Sequence, residues 1–128
     1  MEVSASAAVL PLTPDQRAFA PGCATRVLLD HITGKWGVLL LVALTDGPQR
    51  WSALRRRAQG ISEKMLAQTL KTLERDGLVN REAQPVIPPR VDYSLTERGQ
   101  ELTALLVPLV DWVATHADGV SDGSGKGA

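Results

Sequence analysis

Between positions 61 and 79 the chain carries cations and hydrogen-bonding side chains at helical spacing, and their chemistry suits binding to nucleic acid. Ammonium and guanidinium groups pair with phosphates, whereas amide and hydroxyl groups distinguish base edges by their donors and acceptors. At about 100° per residue, these side chains fall on one side of a predicted helix. That side consists of Lys64, Gln68, Lys71, Thr72 and Arg75. An ordinary solvated helix face is the alternative interpretation.

The same stretch contains a residue that can begin a helix, an apolar stripe that can pack it against a core, and a residue that can end it. Ser62 is expected to cap the N-terminus through its hydroxyl, and we include it among the candidate DNA-binding residues. Leu66, Leu70 and Leu73 recur at i, i+4 and i+7, which predicts one apolar stripe facing a core. Gly77 is expected to end the helix. Such a helix can be held by its leucines while it offers its cationic side to a groove.

A shorter helix, predicted at 53–58 with Ser52 as its cap, precedes this one and is joined to it by a tight connection at 59–60. Helix, short glycine-containing turn and second helix with a polar front are typical of a helix-turn-helix. We expect the arginines of the shorter helix to contact the phosphate backbone, which positions a protein without specifying sequence. These outward cations are Arg55, Arg56 and Arg57.

A β-hairpin is predicted directly after the cationic helix. Its strands lie at 78–83 and 90–96, and the second alternates strictly between apolar and polar residues. Prolines confine 85–89 to a loop, and a very short strand is predicted at 50–51. Arg90, next to the loop, is placed to reach a minor groove or its flanking phosphates. A solvated loop charge is the alternative for this residue.

Three further helices complete the expected architecture, which is mainly α with a small β-hairpin wing. A first helix from Ala24 is ended by Gly34, and the helix at 36–44 is apolar nearly all round and therefore buried. The last helix, at 97–116, starts after a Thr96 cap and has more apolar surface than its own core can cover. This surplus predicts a dimer seam, and packing on the 36–44 helix is the alternative.

Composition limits the protein to a single domain and a few classes of function. The 128 residues carry no net charge, but positions 50–90 hold nine basic and four acidic residues, hence +5. We expect a flexible arm at 1–20, a domain at 21–117 and a disordered tail at 118–128. No apolar run is long enough to span a bilayer, which predicts a cytoplasmic protein without a membrane partner.

Cys23 is the only cysteine and the one candidate for covalent chemistry. It opens the first predicted helix three residues before Arg26, and both features favour a thiolate. Redox sensing and a role in capping or packing are both open. His31 lies eight residues further along the same helix, about 12 Å away, which is too far for a nucleophile and its base. We therefore expect no enzyme activity, and neither metal spacing nor a cofactor fingerprint is present.

Several segments in fixed order resemble the HxlR-type transcription regulators, which are bacterial winged-helix proteins related to the MarR type. The matching segments are Cys23, 34–36 (GKW), 46–48 (DGP), 50–57, 60–66, 70–79 and 86–96. Two positions depart from the family pattern: Trp51 stands where Phe is more usual, and Ala24 stands where Pro commonly follows the cysteine. The second departure weakens any role carried over to Cys23.

The resemblance implies a homodimer, joined by its N- and C-terminal helices, that binds a two-fold related DNA operator. The 62–75 helix would read the major groove, and the 85–90 loop would be the wing. Some family members sense oxidants or electrophiles through the matching cysteine, and family members usually repress transcription of a neighbouring gene. Two alternatives stay open. One is control by a small apolar ligand in a dimer cleft lined by Trp36 and Trp112, and the other is a winged helix that docks a protein instead of DNA.

Overall fold

Residues 19–120 are the part of the chain that this computed structural model describes, and they form five α-helices and one small sheet. The predicted arm at 1–20 and the predicted tail at 118–128 lie largely outside these residues. The elements in order are α1 (Ala24–Thr33), α2 (Lys35–Ala43), a 3-10 turn (Leu44–Asp46), β1 (Gln49–Arg50), α3 (Trp51–Arg57), α4 (Glu63–Arg75), β2 (Val79–Gln84), β3 (Arg90–Leu95) and α5 (Glu97–Thr115). The predicted winged helix-turn-helix is confirmed.

The sheet is antiparallel in the order β1-β3-β2, so β3 is its central strand. β2 and β3 form the predicted hairpin, with Arg81 opposite Tyr93. β1 adds a third strand by pairing Arg50 with Asp92. This pairing fixes the backbone of β1, so α3 starts directly after it at Trp51. Arg50 is therefore the N-cap residue of α3, and its side chain makes no capping hydrogen bond. The prediction that Ser52 caps α3 was therefore wrong, and the strand lies one residue earlier than predicted.

The core is built mainly of leucines from α2, α3 and α4. Leu40 and Leu41 on α2, which was predicted to be buried, are completely enclosed. Leu54 of α3 and the predicted stripe of α4 pack in the same cluster, together with Tyr93 from β3. The two helices of the helix-turn-helix therefore share one core, and this fixes the orientation of α4.

Local hydrogen bonds begin and end α4 as the sequence predicts. The Ser62 hydroxyl accepts a hydrogen bond from the Met65 N–H at 3.0 Å. At the other end Gly77 has a φ of 78°, and the Leu78 N–H donates to the Leu73 carbonyl at 3.0 Å. This is the Schellman motif, which supplies donors to carbonyls that have no hydrogen-bond partner within the helix.

α5 runs through Pro108 and is begun by the predicted Thr96 cap, whose hydroxyl accepts from the Gly99 N–H. Proline has no N–H, so the Ala104 carbonyl one turn earlier has no helical donor. Within residues 19–120 no single helix has the length and hydropathy to cross a membrane, although α1 and the segment Lys35–Asp46 meet those criteria together as a pair bent by 69°.

Candidate nucleic-acid interface

The outer face of α4 is open to solvent along its length. Lys64, Gln68, Lys71 and Arg75 are exposed, and Thr72 is half-buried at the edge of the face. The leucines opposite are almost fully enclosed. Because the leucine side of the helix is packed in the core, the position of α4 and of its outer side chains is fixed. The structure thus brings together the set that the spacing predicts.

The cations of this face lie outside the ion pairs that the structure describes. Among the residues that the structure describes, Lys64, Lys71 and Arg75 form no ion pair. An exposed cation that is not held in an ion pair stays available to an external anion. The face therefore has the electrostatic character that a phosphate backbone requires.

The arginines of α3 divide into two kinds. Arg55 Nη1 lies 2.7 Å from Glu63 Oε2, and Arg57 Nη1 lies 2.8 Å from Asp46 Oδ2. Arg56 is exposed and forms no ion pair with any residue in 19–120. Among the α3 arginines, Arg56 is therefore the most available to an external anion, whereas Arg55 is already paired with Glu63 in the first turn of α4.

The wing projects an apolar tip beside a paired arginine. Ile87 is 99% exposed. Arg90 is exposed as predicted, with its Nε 3.5 Å from Asp92 Oδ1, and Asp92 also accepts from the Gln84 amide at 3.2 Å. The Asp92 contact holds Arg90 near the base of the loop. The guanidinium remains accessible because about two-fifths of its side chain is exposed.

Two cations that we did not predict as binding residues flank α4. Lys35, at the start of α2, lies with its Nζ 4.5 Å from the centre of the Trp36 ring. Arg81, in β2, is exposed. Both lie outside the helix-turn-helix in sequence, so helical spacing could not connect them with α4. The only available signals were the place of Arg81 in the basic middle of the chain and that of Lys35 in the matching segment 34–36.

Cys23 occupies the N-cap position of α1, as predicted. Its Sγ accepts a hydrogen bond from the Arg26 N–H at 3.3 Å, and the residue is half-buried. At the other end of the same helix, His31 Nδ1 lies 2.8 Å from Asp76 Oδ2. Since Asp76 is the C-cap residue of α4, this contact joins α1 directly to the end of the cationic helix.

The two tryptophans proposed for a ligand cleft lie in different surroundings. Trp36 is half-buried against the core and lines a recess beside α4. Trp112 does not line that recess. It is 60% exposed on α5 and stacks on His116 with ring centres 4.1 Å apart. Within the described residues, no group of three His, Cys, Asp or Glu side chains is arranged to hold a metal ion.

The terminal helices expose apolar side chains that a single chain leaves uncovered. On α5, Leu105 is 71% exposed, and Leu109, Trp112 and Val113 are each at least half exposed. Val27 and Leu29 are also exposed on α1. The four α5 side chains recur at helical spacing and form one apolar stripe, and a stripe of this kind commonly marks a protein interface.

Comparison with known proteins points to the same kind of fold, a helix-turn-helix. Residues 31–121 match the HxlR-like helix-turn-helix family. The chain belongs to this family. The HxlR-like chain is 53% identical over 95 residues to the HTH-type transcriptional regulator YtfH of Escherichia coli K12, covering 74% of this chain and 75% of that protein, whose own function is uncharacterised.

Two solved structures extend the similarity of this HxlR-like protein to three dimensions. One is a protein described as the transcriptional regulator ytfH of Salmonella typhimurium, which has a TM-score of 0.72 at 52% identity and covers 76% of this chain and 87% of that one. The other is the redox regulator HypR in its oxidised form, with a TM-score of 0.70 at 38% identity, covering 75% of this chain and 99% of that one. The family consists of transcriptional regulators.

Proposed function

We propose that the protein is a sequence-specific DNA-binding regulator that acts as a homodimer on a two-fold related operator and represses transcription. The observation that carries the proposal is the outer face of α4, where cations and hydrogen-bonding groups stand exposed over a fully packed leucine stripe. A major groove admits an α-helix and presents a distinct donor and acceptor pattern for each base pair. Gln68 and Thr72 are the candidates for base edges, and the cations are candidates for phosphates.

A second copy of the chain is the proposed cover for the apolar side chains of α1 and α5. Two-fold pairing buries the same patch on both protomers and gives the dimer two copies of α4. Dimers of this class bind half-sites about one helical turn apart, and this predicts a two-fold related operator. Membership of a family of transcriptional regulators supports the same assignment.

Footprinting on the DNA upstream of the protein's own gene tests the proposal. We expect protection of a two-fold related site, a preference for it over scrambled DNA, and steep weakening as salt rises. Protein docking by the same fold predicts no protection and no sequence preference. A reporter gene under this upstream DNA should be expressed more strongly when the regulator is deleted. Lower expression on deletion would indicate activation instead.

We further propose that oxidants or electrophiles act through Cys23. The thiol lies at the N-cap of α1, where its Sγ accepts a hydrogen bond from the Arg26 N–H at 3.3 Å. α1 also contributes to the proposed dimer surface and contacts the end of α4 through His31 and Asp76. A disulfide or adduct at Cys23 would therefore change the placement of the two α4 helices. The structural similarity to HypR, which is described as a redox regulator, supports this proposal.

The test compares wild type with Cys23→Ser, since a serine hydroxyl can still cap α1. Diamide or a quinone should change operator affinity of the wild type and leave that of Cys23→Ser unchanged. An equal response in both proteins, or no response in either, would refute sensing at this residue. A ligand-controlled regulator would instead respond to an apolar compound with the thiol intact, and tryptophan fluorescence would report that binding.

A further inference from the structure

Recesses border α4 on both of its flanks. The first lies between α4 and the α1–α2 junction, has a volume of about 310 Å³, and is lined by Lys35, Trp36, Met65, Gln68, Thr69 and Thr72 among others. The second lies between α4 and the sheet, has a volume of about 330 Å³, and is lined by Trp51, Ala67, Lys71, Glu74, Arg81 and Tyr93 among others.

The helical positions show that the recesses lie on opposite sides of α4. At 100° per residue, Met65, Thr69 and Thr72 point to one side of the leucine stripe, whereas Ala67 and Glu74 point to the other. The outer cationic face lies between them. An intruding helix is 10–12 Å wide, and the major groove is about 12 Å wide. When α4 fills the groove, the two sugar–phosphate strands that border the groove must therefore run along its flanks.

Each recess combines an indole wall with a cation. Trp36 and Lys35 line the first, and Trp51 and Arg81 line the second. Within residues 19–120 neither Lys35 nor Arg81 forms an ion pair. An apolar wall lowers the local dielectric constant, and this strengthens attraction between a cation and an anion placed beside it. The contact of Lys35 with the Trp36 ring also holds its ammonium at the recess.

We propose that the two recesses receive phosphates of the two DNA strands, so that Lys35 and Arg81 clamp α4 in the major groove. This inference rests on the proposed DNA-binding function and adds two residues to it. Neither residue would read sequence, because phosphates are the same at every base pair. The clamp would fix the depth and tilt of α4, and thereby let Gln68 and Thr72 meet base edges.

Salt dependence distinguishes phosphate contacts from other roles. Each phosphate contact contributes roughly 0.9 to the slope of log affinity against log salt. We expect Lys35→Gln and Arg81→Gln each to lower that slope by about 1 per protomer and to weaken operator and scrambled DNA by the same factor, about 3–10-fold. Arg98→Gln is the matched control, since it removes an exposed cation from α5. The melting temperature of each variant verifies that it folds.

Glu74 supplies a second test of opposite sign. Its carboxylate lines the recess that holds Arg81 and would repel a phosphate there. Glu74→Gln should therefore raise the affinity for all DNA sequences by a few-fold. An unchanged or lower affinity would contradict a phosphate in this recess.

The outcomes separate the two proposals. A wild-type protein that binds no DNA would refute the proposed function itself. Wild-type binding combined with Lys35→Gln and Arg81→Gln variants that behave like Arg98→Gln would refute the clamp alone. If these two variants lose affinity for the operator only, with binding to scrambled DNA unchanged, their side chains take part in base recognition. That result would also overturn the clamp.

Discussion

Gln68 and Arg56 are both exposed near the proposed DNA surface, but they differ in what they can recognise. An amide carries a donor and an acceptor and can bond both edge atoms of adenine in the major groove. A guanidinium on α3, outside the helix that we propose for the groove, would meet phosphates, which are identical at every step. Arg55 is less available than Arg56 because Glu63 accepts its hydrogen bond at 2.7 Å. Specificity and general affinity are thus assigned to different residues.

Alanine at these two positions should therefore have different effects. We expect Gln68→Ala to change sequence preference by about 1–3 kcal/mol at one base pair, and Arg56→Ala to weaken all sequences alike. Binding measured on a set of operators with single substitutions checks both. Equal losses on operator and random DNA for Gln68→Ala would remove it from the base-reading set.

Elements of this fold differ in whether local or distant contacts set their limits. α4 carries its own cap and its own terminating glycine, with hydrogen bonds at both ends between residues close in sequence. α3 begins instead where β1 stops pairing with β3, and its first turn has no side-chain cap. Two serines that look equivalent in sequence, Ser52 and Ser62, therefore contribute differently to stability.

A comparison of the two serines measures this difference. Ser62→Ala should reduce the free energy of unfolding by about 1 kcal/mol, because it leaves an N–H of the first turn without its acceptor. Ser52→Ala should change stability by less than about 0.5 kcal/mol, as expected for an exposed site without such a role. Urea unfolding followed by circular dichroism gives both values. A larger loss at Ser52 than at Ser62 would contradict the hydrogen bonding described for α3.

On the scale of the whole molecule, exposed cations and exposed apolar side chains lie on different elements. The outer side of α4 and the wing are polar and cationic apart from the wing tip. The apolar face of α5 has Leu105 as its most exposed side chain, and Val27 and Leu29 are exposed on α1. The His31–Asp76 contact joins α1 to the end of α4. In the proposed dimer, α1 and α5 form the interface and the outer side of each α4 stays open.

A charge placed in the apolar face should separate the protomers. Each buried leucine contributes about 1.5–3 kcal/mol, and a two-fold dimer contains the position twice, so Leu105→Glu should raise the dissociation constant at least about 100-fold. Sedimentation equilibrium measures this change. Ile87→Glu is the control, because it places the same charge on an exposed aliphatic residue at the wing tip. Dimers that persist equally in both variants would exclude α5 from the interface.

The sequence by itself determined the features that depend on neighbours along the chain. Ser62, the leucine stripe and Gly77 define α4 because capping, helical period and a positive φ act within a few residues. The family motifs and the apolar surplus of the last helix were equally visible. The exposed α4 face was therefore predictable as a set of residues before its position in the fold was known.

Only the tertiary structure decided which distant groups meet. The pairing partner and exact bounds of the short strand β1, and with them the true start of α3, depend on contacts between residues more than 40 positions apart. The partner of Arg55, the placement of Trp36 beside α4, and the positions of Lys35 and Arg81 on its two flanks follow from how helices and sheet pack. Helical period records only where a side chain points on its own element. It contains no information on what another element brings to that side, which is why the two flanking cations could not be read from spacing.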